Sequence, residues 1–265
     1  MISQRPLAQV EPQYRDFVRY VAKKLSSTAT VEGRVVTAAT VYQLARLLEE
    51  GKADFYMDSP YPTYLINRQG ASIPLLRRWK GGAAEYHGVL FAKKDSGLTR
   101  FEDLRGRMIA LEDPASTSGY FLPKIFLVSK GLKLSEKTSL DAAVAPAEVG
   151  YIFTYSTGKI VDMVLSRQVV AGAFSNEDFD RLDAKKKADV AVLGETESFP
   201  RHFVSVRKEM DPEIAARLQD VLLSMHQDPE GQKVLLKIEN TTRFDVAPGG
   251  EQAVRLKLQE VFGLQ

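Results

Sequence analysis

Between Arg107 and Gly131 the chain passes from an apolar run, through Asp113-Pro114, three hydroxyl residues and a glycine, into a stretch with helical spacing. A segment of this kind confines the chain to strand–turn–helix units and places a donor-rich turn at the start of the helix. A helix N-terminus leaves N–H groups unpaired and carries about half an elementary positive charge. Ser116, Thr117 and Ser118 add hydroxyl donors there, and Gly119 allows close backbone approach. One Ser or Thr would read as an ordinary cap. Three followed by glycine exceed what a cap needs, and the pattern suits an oxyanion. Pro123 fits only an early helical turn, so the spacing predicts a helix starting near Ser118 or Gly119.

The rest of the chain repeats the alternation. Apolar residues at helical spacing predict a helix over 13–25, followed by a strand over 33–38. Thr40 is placed to cap a helix that Gly51 ends, and 53–57 reads as the next strand. Further strands are predicted at 72–77, 86–93, 107–111, 149–153, 170–175, 190–193 and 203–206, with helices at 101–104 and 157–167 and three more at the C-terminal end. Asp211-Pro212-Glu213 and Asp228-Pro229-Glu230 give two of those last helices their cap, proline and acidic first turn. Such alternation predicts an α/β protein with doubly wound, mostly parallel sheets, whose ligands sit beyond the carboxyl ends of strands.

Composition excludes several function classes. A net charge of +2, from 36 basic and 34 acidic residues, offers no concentrated basic face for nucleic acid. The absence of cysteine removes disulfides, thiolate metal sites and a thiol nucleophile. No window supplies the roughly 18 apolar residues of a membrane span, and the first twenty residues do not read as a signal peptide. The three histidines show no metal-ligand spacing. Gly158-Lys159 lacks both the preceding glycine and the following Ser or Thr of a phosphate-binding loop, since Ile160 stands there. Neither a nucleophile nor an acid/base pair is nominated, so no enzyme activity, no cofactor and no metal are expected.

A second junction resembles the first. Tyr151-Ile152-Phe153-Thr154-Tyr155-Ser156-Thr157-Gly158 runs from a strand through hydroxyls and glycine into a helix. Ordinary capping and a second donor cluster both account for it. Tyr42, Tyr61, Tyr64 and Tyr86 fall near strand ends or helix starts, where each alone reads as a half-buried packing residue.

The segments Tyr86-His87-Gly88-Val89-Leu90-Phe91-Ala92-Lys93-Lys94-Asp95-Ser96-Gly97, Phe101-Glu102-Asp103-Leu104-Arg105-Gly106 and Asp113-Pro114-Ala115-Ser116-Thr117-Ser118-Gly119-Tyr120 resemble the phosphate, phosphite and phosphonate binding proteins of ABC importers, the PhnD type. The resemblance extends more weakly from about Gln13 to Phe262. It implies a type II periplasmic-binding-protein fold of two α/β lobes, 1–88 plus 200–265 and 89–199, with the anion in a cleft between them. It further implies that Ser116, Thr117, Ser118 and Gly119 hold the anion, that Tyr42 and Tyr86 close over it, and that Ser59 faces the cleft. Thr157 and Gly158 stand where the family has a Gly-x-His-Glu-like element. Ala171 is matched to an Asp that aminoalkyl phosphonate binders carry at the end of the following strand. Loss of both acids argues against 2-aminoethylphosphonate, because a ligand ammonium needs a paired charge.

The resemblance therefore implies a monomeric solute-binding protein that captures a phosphate-like oxyanion and delivers it to the membrane permease of an ABC importer. It would act in the periplasm or another extracytoplasmic place, with its export signal not among these residues; the family's first strand should precede Gln4, leaving only Met1-Ile2-Ser3 of it. The alternative is a ligand-sensing domain of the same fold from a larger signalling protein.

Overall fold

The structure is a computed structural model, and it describes residues 7–26 and 31–263. Met1–Ser3 lie outside the described residues. The chain divides into two compact units, Met1–Glu85 with Pro200–Gln265, and Tyr86–Phe199.

The first unit opens with α1 (Leu7–Leu25), α2 (Val41–Glu49), β1 (Phe55–Asp58), α3 (Pro60–Arg68) and β2 (Ser72–Lys80). Thr40 caps α2 as expected, its side chain accepting the Gln43 N–H, and Gly51 follows at φ +66°. The chain leaves this unit at β3 (Glu85–Tyr86).

The second unit contains β4 (Gly88–Lys93), β5 (Met108–Leu111), α4 (Leu122–Ser129), β6 (Lys133–Glu136), β7 (Glu148–Phe153), α5 (Thr157–Leu165), β8 (Ala171–Ser175), α6 (Asn176–Asp180), α7 (Ala184–Asp189) and β9 (Val190–Glu195). The chain passes back at β10 (Phe199–Pro200). It finishes with β11 (Phe203–Arg207), α8 (Pro212–Ser224), α9 (Pro229–Lys237), β12 (Thr241–Asp245) and α10 (Gly250–Phe262). Asp211 and Asp228 cap α8 and α9 with the proline in the first turn.

The six-stranded sheet of the second unit has the order β6-β7-β5-β8-β4-β9. Its β6–β7, β7–β5 and β5–β8 pairs are parallel, while β4 runs antiparallel to β8 and β9. Only β4 is therefore reversed. The four-stranded sheet of the first unit has the order β1-β11-β2-β12, and its pairs are all antiparallel. β1 and β2 still point the same way, because the returning β11 separates them.

Three expectations change. Residues 33–37 form no strand: a Cβ on Gly33 would lie 2.2 Å from the Val18 carbonyl oxygen, so this segment lies directly on the α1 backbone. The first crossing comes at Glu85/Tyr86 rather than after Gly88, because Gly88 already pairs with Ser175 in the second sheet. Tyr86 thus belongs to the second unit. Ala171 opens β8 and pairs with Ala92 and Ile109, so the carboxyl end of that strand is Ser175.

Each unit has its own core. Phe17, Leu76, Val204, Leu222 and Phe244 are buried together in the first, and Phe91, Ile160, Val164 and Phe174 in the second. Gly172 belongs to the latter packing, since a Cβ there would sit 2.3 Å from Ile160.

Candidate functional site

The donor-rich turn follows the carboxyl end of β5. Ser116 is the N-cap at φ −70° and ψ 126°, and Thr117–Phe121 forms a π-helical turn that runs into α4. The first bonds skip five residues: the Phe121 N–H donates to the Ser116 carbonyl at 3.0 Å and the Leu122 N–H to Thr117. Pro123 explains this register. It has no N–H to return to the preceding turn, which releases the Gly119 carbonyl. The Glu112 N–H donates to that carbonyl at 3.0 Å and ties the turn back to the strand end.

Glu112 also meets the turn from the side. The Ser116 hydroxyl donates to Glu112 Oε2 at 2.7 Å and accepts the Gly119 N–H at 3.0 Å. A Cβ on Gly119 would lie 2.4 Å from Glu112 Oε2 and 2.6 Å from Glu112 Cβ, so glycine is required for this approach. Gly88 has a similar role on the other side, where a Cβ would lie 2.6 Å from the Ser118 carbonyl oxygen. Asp113 folds inward to accept the Ala115 N–H at 2.8 Å. Burial raises its carboxyl above the usual range, against the pull of the Ala115 and Ser116 N–H groups.

Thr117 and Ser118 are buried, at 1% and 5% exposure, and their N–H groups precede the first intrahelical bond. The hydroxyl of Ser116 differs from theirs, because its proton is committed to Glu112. Ser116 is consequently a brace for the turn rather than one of three equivalent donors. Sequence reasoning passed over Glu112; the signal that could have found it is an acid four residues before a hydroxyl N-cap.

The second junction lies alongside the first. Leu111 and Phe153 are parallel partners, and beyond them the Thr154 N–H donates to the Leu111 carbonyl at 3.0 Å and the Tyr155 N–H to the Glu112 carbonyl at 2.7 Å. Ser156 is the N-cap of α5 and its hydroxyl accepts the Lys159 N–H at 3.4 Å. Thr157 is half-buried, Gly158 and Lys159 are exposed, and Tyr155 is exposed at φ +55°. Tyr120 packs behind the two junctions, against Phe153 at 4.9 Å and Tyr151 at 5.8 Å between ring centroids. Tyr86 is buried in the same unit.

Tyr42 and Ser59 occupy the first unit. Tyr42 is 73% exposed in the first turn of α2. Ser59 is the N-cap of α3 and makes no side-chain cap bond, while its N–H donates to Asp58 Oδ1 at 2.8 Å. Tyr61 and Tyr64 are buried against Phe262, with ring centroids 5.5 and 5.8 Å away, which is a packing role. Ser175, at the true end of β8, donates to Asp178 Oδ2 at 2.6 Å. A carboxylate therefore does stand close to that strand end, and one of the two grounds for excluding an aminoalkyl phosphonate falls away. Among the described residues no group of His, Asp and Glu could hold a metal ion.

Two α/β units between which the chain passes twice, one with an antiparallel sheet and one with a mixed, mostly parallel sheet, both flanked by helices, define a type II periplasmic binding protein. The family model described as "ABC transporter, phosphonate, periplasmic substrate-binding protein" matches residues 1–248, and the chain belongs to that family. It is a solute-binding protein of a transporter family rather than of an enzyme family, and the family implies a small ligand, an ABC permease partner and an extracytoplasmic place of action. The sensor-domain alternative is not favoured. Among solved structures, a Xanthomonas citri protein bound to chloride ion is 28% identical with a TM-score of 0.90, over 99% of this chain and 96% of that one. Its ATP-bound structure gives 27% and 0.88, over 99% and 98%. The PhnD1 protein of Prochlorococcus marinus in complex with methylphosphonate is 14% identical with a TM-score of 0.71, over 99% and 96%. At that identity the last shows the fold alone.

Proposed function

We propose that this chain captures a small phosphoryl or phosphonyl oxyanion and that the turn from Ser116 to Gly119 makes the primary contact. The supporting observation is the pair of buried hydroxyls on Thr117 and Ser118 at the head of a helical run, with their own N–H groups beside them. Charge-assisted hydrogen bonds from such groups contribute about 1.5–3 kcal/mol each when solvent is excluded. Tyr42 and Ser59 from the first unit, and Tyr86, Thr157 and Gly158 from the second, complete the ligand shell in this reading. The protein works as an exported monomer, handing its ligand to the permease and binding no nucleic acid.

Isothermal titration of the whole chain with phosphate, phosphite, methylphosphonate and 2-aminoethylphosphonate tests this. At least one should bind, and Thr117→Val with Ser118→Ala should abolish that heat while the protein stays folded. Failure of every ligand to bind would sink the reading.

A nucleotide is the second ligand class. It is favoured by the relative solved with ATP and by the exposed Tyr155 ring at the second junction. A terminal phosphate on the Ser116–Gly119 turn would leave the base to stack on an aromatic surface. ATP therefore belongs in the same titration.

A further inference from the structure

The chain returns to the first unit through Pro200, and Arg201 and His202, which belong to no strand, lead it into β11. Pro200 has no N–H to give. The Arg201 N–H donates to the Ala84 carbonyl at 2.8 Å, and the His202 carbonyl accepts the Arg78 N–H at 2.9 Å, one residue before Phe203 pairs with Arg77. His202 thus fastens the returning chain to β2. Its side chain sits among cations. Arg78 and Lys80 of β2 and the adjoining Arg201 act on the ring, against the one carboxylate of Glu239, which precedes β12. That carboxylate is already engaged by Arg78 at 3.0 Å and by Lys80 at 3.8 Å. The ring's Nδ1 is sealed from solvent and has no hydrogen-bond partner. A neutral imidazole carries a proton on one nitrogen, whereas an imidazolium carries one on each. Protonation in place would therefore bury an unbonded, charged N–H beside Arg78.

We propose that His202 is an acid-sensitive latch on the returning chain: on taking up a proton its ring leaves the cluster and draws its own carbonyl off the Arg78 N–H, while the four-stranded sheet stays folded. The opening is local, because the segment lies outside the strands and its proline contributes no bond. In the closed form burial, then Arg78, hold the ring well below its ordinary range, and release returns it to about 6.5. The open form is the better proton acceptor, so acid favours it. The family's extracytoplasmic place of action exposes such a latch to the acidity of the surroundings. It operates whatever the ligand.

Hydrogen exchange of the full chain at pH 7.5 and 5.5 tests this, with rates corrected for the intrinsic effect of pH. For a ring that titrates at about 6.5 only when released, opening read at the Arg78 amide should rise about 10-fold over that interval. The opening should be insensitive to low urea, the mark of a local event, while amides at the centre of β11, such as Val206, stay protected by at least about 10-fold more than Arg78. In His202→Gln the Arg78 amide should lose its pH dependence. An Arg78 amide that opens with the free energy and urea dependence of Val206 overturns the proposal, since His202 then titrates only as the unit unfolds. Equal opening at the two pH values overturns it as well, as does a rise that survives in folded His202→Gln. If His202→Gln does not fold, the urea comparison in the natural protein decides alone.

Discussion

The two units each contain a strand whose end is marked by an acid and a hydroxyl before a helix, and the two junctions differ in the N–H groups their helix starts carry. After β5 come Glu112 and the Ser116–Gly119 turn; β1 ends in Asp58, and Ser59 and α3 follow it. In α3, prolines occupy the first and third helical positions, Pro60 and Pro62, so neither can offer an N–H. The Ser59 N–H is already bonded to Asp58 Oδ1. At the other junction the proline is Pro123, six residues after Thr117, and the N–H groups of Thr117 and Ser118 are retained. Proline placement, rather than helix polarity, sets how many N–H groups each start can offer.

The largest expected effect comes from breaking the donor-rich junction itself. Gly119→Ala puts a methyl where Glu112 Oε2 and Cβ lie, at 2.4 and 2.6 Å. Overpacking of that kind costs about 1–3 kcal/mol, and the turn must open to relieve it. Calorimetry should show ligand affinity down by about 100-fold and thermal melting lowered by several degrees. By contrast, Ser59→Ala in the first unit should change affinity by less than about 5-fold. Comparable losses from the two would erase the asymmetry.

Next in size is a substitution that makes the second unit's junction resemble the first. Thr117→Pro puts proline at the first helical position, where it is tolerated, and Ser116 at ψ 126° already has the backbone that a following proline requires. It removes one N–H and one hydroxyl together. Binding should weaken by about 100-fold, against about 10-fold for Thr117→Val, while both melt within about 1 kcal/mol of the natural protein.

How much of this contrast could be read in the chain depends on which physical signal each element carries. The Ser116–Gly119 turn was legible because four consecutive residue types serve one purpose, and the caps at Thr40, Asp211 and Asp228 because side chain and proline agree. α3 was not, since Pro60-Tyr61-Pro62 reads as a loop although prolines in a first turn are permitted. β6, Lys133–Glu136, escaped because a polar edge strand beside β7 has no alternation to display. The strand expected at 33–38 failed for the opposite reason: its apolar residues fit a strand, but Gly33 serves contact with α1. Glu112 was legible only as a flank, because its role depends on a bond to the turn rather than on a spacing of its own.

Acid should separate the two units by the sign of their titrations. In the first unit buried Arg78 donates to Thr241 Oγ1 at 2.8 Å, the Ile238 carbonyl at 2.9 Å and Glu239 Oε2 at 3.0 Å. Burial would raise the Glu239 carboxyl, but Arg78 and Lys80 hold it at about 2. Burial, assisted by Arg78, pushes the neighbouring His202 well below its ordinary value. The unfolded chain takes up these protons first, so stability falls as pH drops below about 6.5 for His202 and again from about 4.5 towards 2 for Glu239. Asp113 in the second unit has the reverse sign, its raised carboxyl making the folded form the better proton acceptor, so this group favours folding as pH falls through its range. Thermal melts from pH 7.5 to 3 should show Glu239→Gln flattening the lower window and Asp113→Asn changing the slope in the opposite direction. An unchanged profile in Glu239→Gln would remove the Arg78–Glu239 ion pair as the acid-labile element of the first unit.

The smallest effect on stability belongs to the second junction, and it separates the two ligand classes. Tyr155 holds an exposed ring at φ +55°, a conformation that costs a non-glycine residue about 1–2 kcal/mol. Glycine would relieve that cost but adds about 0.5–1 kcal/mol of unfolded-chain entropy. Tyr155→Gly should therefore raise the melting temperature by only about 1–3 °C. Its N–H would still reach the Glu112 carbonyl, so the Ser116–Gly119 turn keeps its brace and phosphate or methylphosphonate should bind within about 2-fold of the natural protein. A stacked base contributes about 1–3 kcal/mol, so ATP affinity should fall by about 10-fold or more if the ring is a platform for a nucleotide. Equal ATP affinity in the two proteins would remove Tyr155 from the ligand shell and leave the oxyanion turn of the second unit to account for whatever nucleotide binding is measured.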